Sequence, residues 1–187
     1  MRAAIGLMVL VLGACHGGVH RDDRYQVVGD VIFGTPAGEF ILSSTGADAP
    51  EVGVRLTGAA FTCDRLALIA AGGYHYYDPK TGPVDAVEFQ VGARYYPPID
   101  FHVGKVPVGP FLDVLGGVLH ASSPFPAGGT ESNLTAELGG GLEVILGKRA
   151  SVLLGYHLRH LSNGGGNVPD NPGYNDNEFF LGFGWRW

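Results

Sequence analysis

His160 and Ser162 stand two residues apart in a segment whose apolar positions alternate as Val152, Leu154, Tyr156 and Leu158. Alternate residues of an extended chain share one face, so a base and a hydroxyl fall side by side on a face that is otherwise apolar. Nucleophilic catalysis uses such a pair. The imidazole takes the hydroxyl proton as the oxygen attacks a carbonyl, and a third group orients the ring. The same two residues also suit the polar end of a strand leaving a bilayer, and for the pair taken alone that is the favoured reading, because short motifs recur by chance. Competing chemistries find no foothold: His157 has the opposite parity, His75 and His120 read as isolated, and nothing has the spacing of a zinc site. No glycine-rich run opens a helix as a phosphate-binding loop must. No metal and no cofactor are therefore expected.

The elements that carry these residues read as strands. Period-two alternation recurs along the chain, with one apolar and one polar face each time. In 51–61, Val52, Val54, Leu56, Gly58 and Ala60 oppose Glu51, Arg55 and Thr57; in 85–96, Val87, Phe89, Val91, Ala93 and Tyr95 oppose Glu88, Gln90 and Arg94. Segments 65–77, 110–120, 133–145, 151–162 and 177–187 follow the same scheme, and an eighth strand is expected at 25–33 or 40–44. Short links at 62–64 and 147–149 and a medium one at 97–106 alternate with longer Gly/Pro/Ser-rich links at about 34–50, 78–84, 121–132 and 163–176. Even strand number, alternating loop lengths and a polar inner face are the marks of an outer-membrane barrel. The fold expected is all-β, an eight-stranded antiparallel transmembrane β-barrel with both termini periplasmic and a lumen filled by side chains. Arg55, Glu88, Arg94, Asp113, Glu137, Glu143, His157, Arg159, Glu178 and Arg186 would point inward and pair, since buried charges need partners. A lipocalin-like barrel, apolar inside, is the soluble alternative. The interleaving of Arg and Glu with Gly, and the aromatic C-terminus, favour the membrane. That ending resembles the signal read by the outer-membrane barrel assembly machinery.

Composition agrees. Charged residues are 16% of the 187, and 31 are glycine, about twice the usual share. A net charge of −6 excludes the basic footprint of a nucleic-acid module. No apolar run reaches the roughly 18 residues of a spanning helix. Residues 1–15 read as a signal peptide, with a charged start, a short apolar run and Leu12-Gly13-Ala14-Cys15, which looks like a lipobox ending at Cys15. A linker (16–24) and the barrel domain (25–187) follow. Removal or acylation of Cys15 would leave Cys63 without an intrachain partner, so no disulfide framework is expected.

His160-Leu161-Ser162-Asn163, a glycine-rich loop, Asn171-Pro172-Gly173 and a final aromatic strand together resemble the C-terminal region of the lipid A 3-O-deacylase (PagL), acyloxyacyl hydrolase-like family. The match is sharp over 156–187. The resemblance implies an esterase of the bacterial outer membrane that removes a fatty acyl chain from lipid A of lipopolysaccharide, with Ser162 as nucleophile and His160 as base; it leaves a homodimer open. Members of that family orient the His with an acidic residue shortly after the turn, and here the place holds Asn175. Parity counted from Trp187 turns Asn175 outward with the aromatics and Asp176 inward, so Asn175 is the first choice and Asp176 the substitute if the strand bulges. Asn163 and Gly165 are the expected oxyanion donors, since glycine lets backbone N–H groups approach closely. The alternative is a non-catalytic small outer-membrane barrel with an adhesive, structural or lipid-binding role.

Overall fold

The computed structural model describes residues 23–37, 49–99, 101–163 and 172–187. Nine strands follow in order: β1 (Tyr25–Pro36), β2 (Glu51–Cys63), β3 (Leu66–Tyr77), β4 (Val84–Tyr95), β5 (Phe101–Val103), β6 (Val106–Phe125), β7 (Thr130–Ile145), β8 (Ala150–Ser162) and β9 (Tyr174–Arg186). All pairings are antiparallel. β1 pairs with both β2 and β9, and β4 pairs with β6, so eight strands close into a barrel with β5 left outside the ring. Closure removes the open edges that a bilayer cannot tolerate. Both described ends of the chain meet at one end of the barrel, where the Arg24 and Tyr25 amides donate to the Trp187 carbonyl.

The barrel is inside-out relative to a soluble domain. Leu56, Phe89, Val114, Leu138, Leu154 and Phe183 are each more than half exposed, while all ten charged residues expected to point inward are buried. In β2 burial follows the alternation residue by residue: over the first ten residues, buried and exposed positions take turns, with the charges inside. Tyr25, Trp185 and Trp187 ring the end that carries the termini, as aromatic belts do at a membrane interface.

Within the lumen two apolar layers flank a polar band. Val28, Ile32, Tyr96, Phe111, Leu153 and Phe180 pack toward the terminal end. Tyr77, Phe125, Leu161 and Tyr174 plug the opposite end, with the Tyr77 and Phe125 rings stacked at 4.4 Å. Between them lies a polar band. Arg159 binds Glu51, Asp176 (2.7 Å) and Glu178 (2.8 Å), Arg55 reaches Glu137 at 3.2 Å, and Arg94 is bidentate on Asp113 at 2.8 Å. The lumen of the described residues is thus packed as a core. Close packing fixes some glycines: at Gly155 a Cβ would meet the Phe180 ring at 2.3 Å.

One open alternative is decided and three expectations change. The first strand is Tyr25–Pro36, because it carries the register that joins β2 to β9; residues 40–44 lie outside the described residues. The link 97–106 holds the short strand β5, which folds back on β6 through Gly104 at φ +64. The link 121–132 is mostly strand: β6 and β7 run on as a ribbon, with a register shift between His120 and Phe125, and Ser/Pro/Gly content disguised it as loop. Cys63 is disulfide-bonded, against the expectation; the chain's other cysteine, Cys15, lies outside the described residues.

Candidate active site

At the end of the barrel remote from the termini, β8 alternates Leu158, His160 and Ser162 outward with Arg159 and Leu161 inward. Both inward side chains are fully buried, Leu161 in the aromatic plug and Arg159 among carboxylates. They anchor the strand, since a slip of one residue would expel both from the lumen. On β9, Tyr174 and Asp176 are the inward anchors. The Tyr174 hydroxyl donates to the Ala49 carbonyl at 2.6 Å, and Arg159 donates to Asp176 at 2.7 Å. Asn175 sits between them on the outer face, opposite His160 in the register.

His160 Nδ1 lies 2.7 Å from Asn175 Oδ1. A carbonyl oxygen only accepts, so this contact calls for the proton on Nδ1, which in a neutral ring leaves the lone pair on Nε2. That is the tautomer a general base needs. Asn175 is 4% exposed, so the accepting side of this part-buried hydrogen bond is held within the wall. Ser162 is the next outward residue on β8 and is half-buried, as is His160. No hydrogen bond joins Ser162 to His160 among the described residues, and such contacts often tighten only when substrate binds. Asn163 follows directly after β8 and is half-buried; Gly165 lies outside the described residues. Asp176, the substitute third member, faces the lumen and is engaged by Arg159, on the far side of the sheet from His160. Asn177 shares the outward parity of Asn175 but accepts from the Tyr156 hydroxyl at 2.7 Å.

Beside the imidazole an apolar cleft of about 310 Å³ runs over β6, β7 and β8, lined by Val114, Ala136, Leu138 and Leu158 and bounded by His160 and Asn175. Its origin is a rung of small residues. Reading across the sheet from His160, the register partners are Ala136 and then Gly116, while Val114, Val118, Leu134 and Leu138 stand above and below them as exposed, taller side chains. A cleft open to the lipid phase beside a base suits an acyl chain. Sequence reading missed this rung, because neither Ala136 nor Gly116 signals anything until strand pairing aligns them.

Two histidines read as isolated have partners. His75 contacts Glu51 and, at 3.1 Å, Glu88, and His120 Nδ1 lies 3.0 Å from Ser132 Oγ. Two groups among the described residues bring potential metal ligands together, Glu51–His75–Glu178 and Glu137–His157–Glu178. Their members come from different strands, so no linear spacing could announce them. Both groups are in the lumen, interleaved with the Arg55 and Arg159 ion pairs, and neither shares a face with Ser162.

Closed architecture, lipid-exposed apolar surface and a sealed polar lumen define a β-barrel protein of the bacterial outer membrane. Within that class, the model of the lipid A 3-O-deacylase (PagL) family matches residues 52–184, and the chain belongs to this family. Among solved structures, the outer membrane enzyme PagL superimposes with a TM-score of 0.60 at 17% identity, covering 83% of this chain and 97% of that one. Neisserial surface protein A aligns with a TM-score of 0.60 at 18% identity, over 87% and 97% of the two chains. The outer membrane protein OprG from Pseudomonas aeruginosa aligns at 0.51 and 12% identity, over 90% and 97%. At these identities the superpositions establish the fold alone. No curated protein matches the sequence significantly.

Proposed function

We infer that this protein is an outer-membrane esterase that releases a fatty acyl chain from lipid A by a Ser–His mechanism. The observation that carries this reading is the His160–Asn175 hydrogen bond of 2.7 Å on the lipid-facing side, beside an apolar cleft and one strand step from a hydroxyl. Ser162 Oγ attacks the ester carbonyl while its proton passes to His160 Nε2. The tetrahedral intermediate then collapses, the C–O bond to the sugar breaks, and His160 returns the proton to the departing sugar oxygen. Water, deprotonated by the same nitrogen, attacks the acyl-serine; the second intermediate expels Ser162, which recovers its proton, and fatty acid leaves. Backbone donors at Asn163 and Gly165 are the candidates to hold the oxyanion.

Orientation supports the substrate. With the termini periplasmic, β8 runs outward and brings His160 and Ser162 to the level of the outer leaflet, where ester-linked chains of lipid A meet their sugar. The test is release of free fatty acid from lipid A by detergent-refolded protein. Wild type should release it, and Ser162→Ala and His160→Ala should each abolish release while keeping the folded barrel, because truncating a rim side chain leaves no core cavity. No release by wild type would leave the non-catalytic barrel, and full activity of Ser162→Ala would remove the nucleophile.

A further inference from the structure

Among the polar pairs on the outer wall that the chemistry just described leaves unused, one lies on the two strands of the cleft next to β8. His120 of β6 and Ser132 of β7 are register partners, both exposed, with His120 Nδ1 3.0 Å from Ser132 Oγ. Their place relative to the cleft follows from the strand lattice. Ser162 is paired with Leu134, and Leu134 with Val118. Ser132 and His120 are therefore two residues nearer the rim than Leu134 and Val118, on the same two strands that supply Val114, Ala136 and Leu138 to the cleft. From strand rise and spacing, the Ser132 Cα is about 8 Å and the His120 Cα about 12 Å from that of Ser162. That distance is within reach of a sugar whose acyl ester sits at Ser162.

Direction matters as well. The cleft leaves His160 toward β7 and β6, so an acyl chain lying in it carries its carbonyl at Ser162 and its headgroup over the rim of the same strands. There the outer surface changes from apolar to polar in one step: Val118 and Leu134 give way to His120 and Ser132. Further out, the Asp85 amide donates to Ser122 Oγ at 3.1 Å, and the Tyr74 hydroxyl donates to the Asp85 carboxylate.

We propose that His120 and Ser132 bind the sugar of the acyl ester, as a headgroup site above the acyl cleft. This rests on the esterase reading. The ligand chemistry is that of a hydroxylated amino sugar. A serine hydroxyl both donates and accepts, and the imidazole nitrogen left over from the Ser132 contact is open to a sugar hydroxyl. The exposed carboxylate of Asp85, two residues further out than Val87, the partner of His120 on the adjoining strand β4, disfavours a phosphate there and suits sugar O–H donors.

The experiment compares two substrates that share one acyl chain, a 3-O-acyl glucosamine and a p-nitrophenyl ester, on full-length protein refolded in detergent. The double variant His120→Ala/Ser132→Ala should raise KM for the sugar ester by about tenfold, the loss of one or two hydrogen bonds, with kcat held and nitrophenyl ester kinetics unchanged. Equal losses on both substrates would make the pair structural, and no change on either would remove the site; each overturns the proposal. If wild type hydrolyses neither ester, the esterase reading fails separately. Calorimetry with the ether-linked 3-O-alkyl glucosamine then decides the site: weaker binding by the double variant supports it, and equal binding overturns it.

Discussion

An amide oxygen fixes the tautomer of an imidazole as well as a carboxylate does, but it stabilises the imidazolium less. Asn175 therefore supplies His160 with orientation and little charge. Replacing it tests that division: Asn175→Ala should lower ester hydrolysis by a factor of about ten to a thousand, as third members of triads do. Asn175→Asp should match or exceed wild type, because a carboxylate adds charge stabilisation at the same atom. Asp176→Ala should leave the chemistry in place, since that carboxylate binds Arg159 inside the barrel. Rates of the three variants on one ester substrate give the answer, and full activity in Asn175→Ala would mean that the ring is oriented by some other group.

At the scale of the strand, β8 performs two tasks with one alternation. Its inward residues bind the lumen and its outward residues build the site, so the rigidity of the core is passed to His160 and Ser162 without any loop. The cleft depends on the neighbouring strands in the same way. Ala136 is exposed on β7 directly opposite His160, and a Cβ at Gly116 would meet nothing nearer than the Thr135 carbonyl at 3.7 Å. Ala136→Leu should therefore fill the cleft without disturbing the barrel. We expect kcat/KM for a long-chain ester to fall about ten- to hundredfold, with an acetyl ester of the same alcohol largely spared, in line with the discrimination that pocket methylenes provide. Equal rates for both chain lengths would show that the acyl chain lies elsewhere.

For the whole molecule, stability resides in a buried polar band capped by two apolar layers. Arg159 is its hub, fully buried with Glu51, Asp176 and Glu178 around it. Removing one partner from a buried network leaves the others uncompensated, so Arg159→Ala should cost about 3–5 kcal/mol. The readout is the temperature at which the folded, fast-migrating form is lost on a gel, and an unchanged midpoint would contradict the hub role. Orientation is tested independently. A tag inserted at Gly128-Gly129, in the turn between β6 and β7, should be labelled on intact cells, and one at Lys148, between β7 and β8, should not. The reverse labelling would place the candidate site on the periplasmic side and remove its access to the outer leaflet.

Parity is a local property of an extended chain, and most of it is legible in the sequence. Alternation of Val, Leu and Phe with Arg, Glu and Gly is enough to assign seven strands and to turn His160, Ser162 and Asn175 one way and Asp176 the other, because side chains of a strand switch faces at every residue; it misses β5 and the outer ends of β6 and β7, and the inward placement of the charges rests on the interleaved glycines and the aromatic C-terminus. Which strands lie beside one another, and at what register, is a property of pairing across the closed sheet. Only the tertiary structure set Asn175 opposite His160, aligned Ala136 and Gly116 into a cleft, brought His75 to Glu51 and Glu88, joined His120 to Ser132 and chose 25–36 as the closing strand. Those contacts connect residues 12 or more positions apart, and they form only when the backbone hydrogen bonds of eight strands are satisfied together.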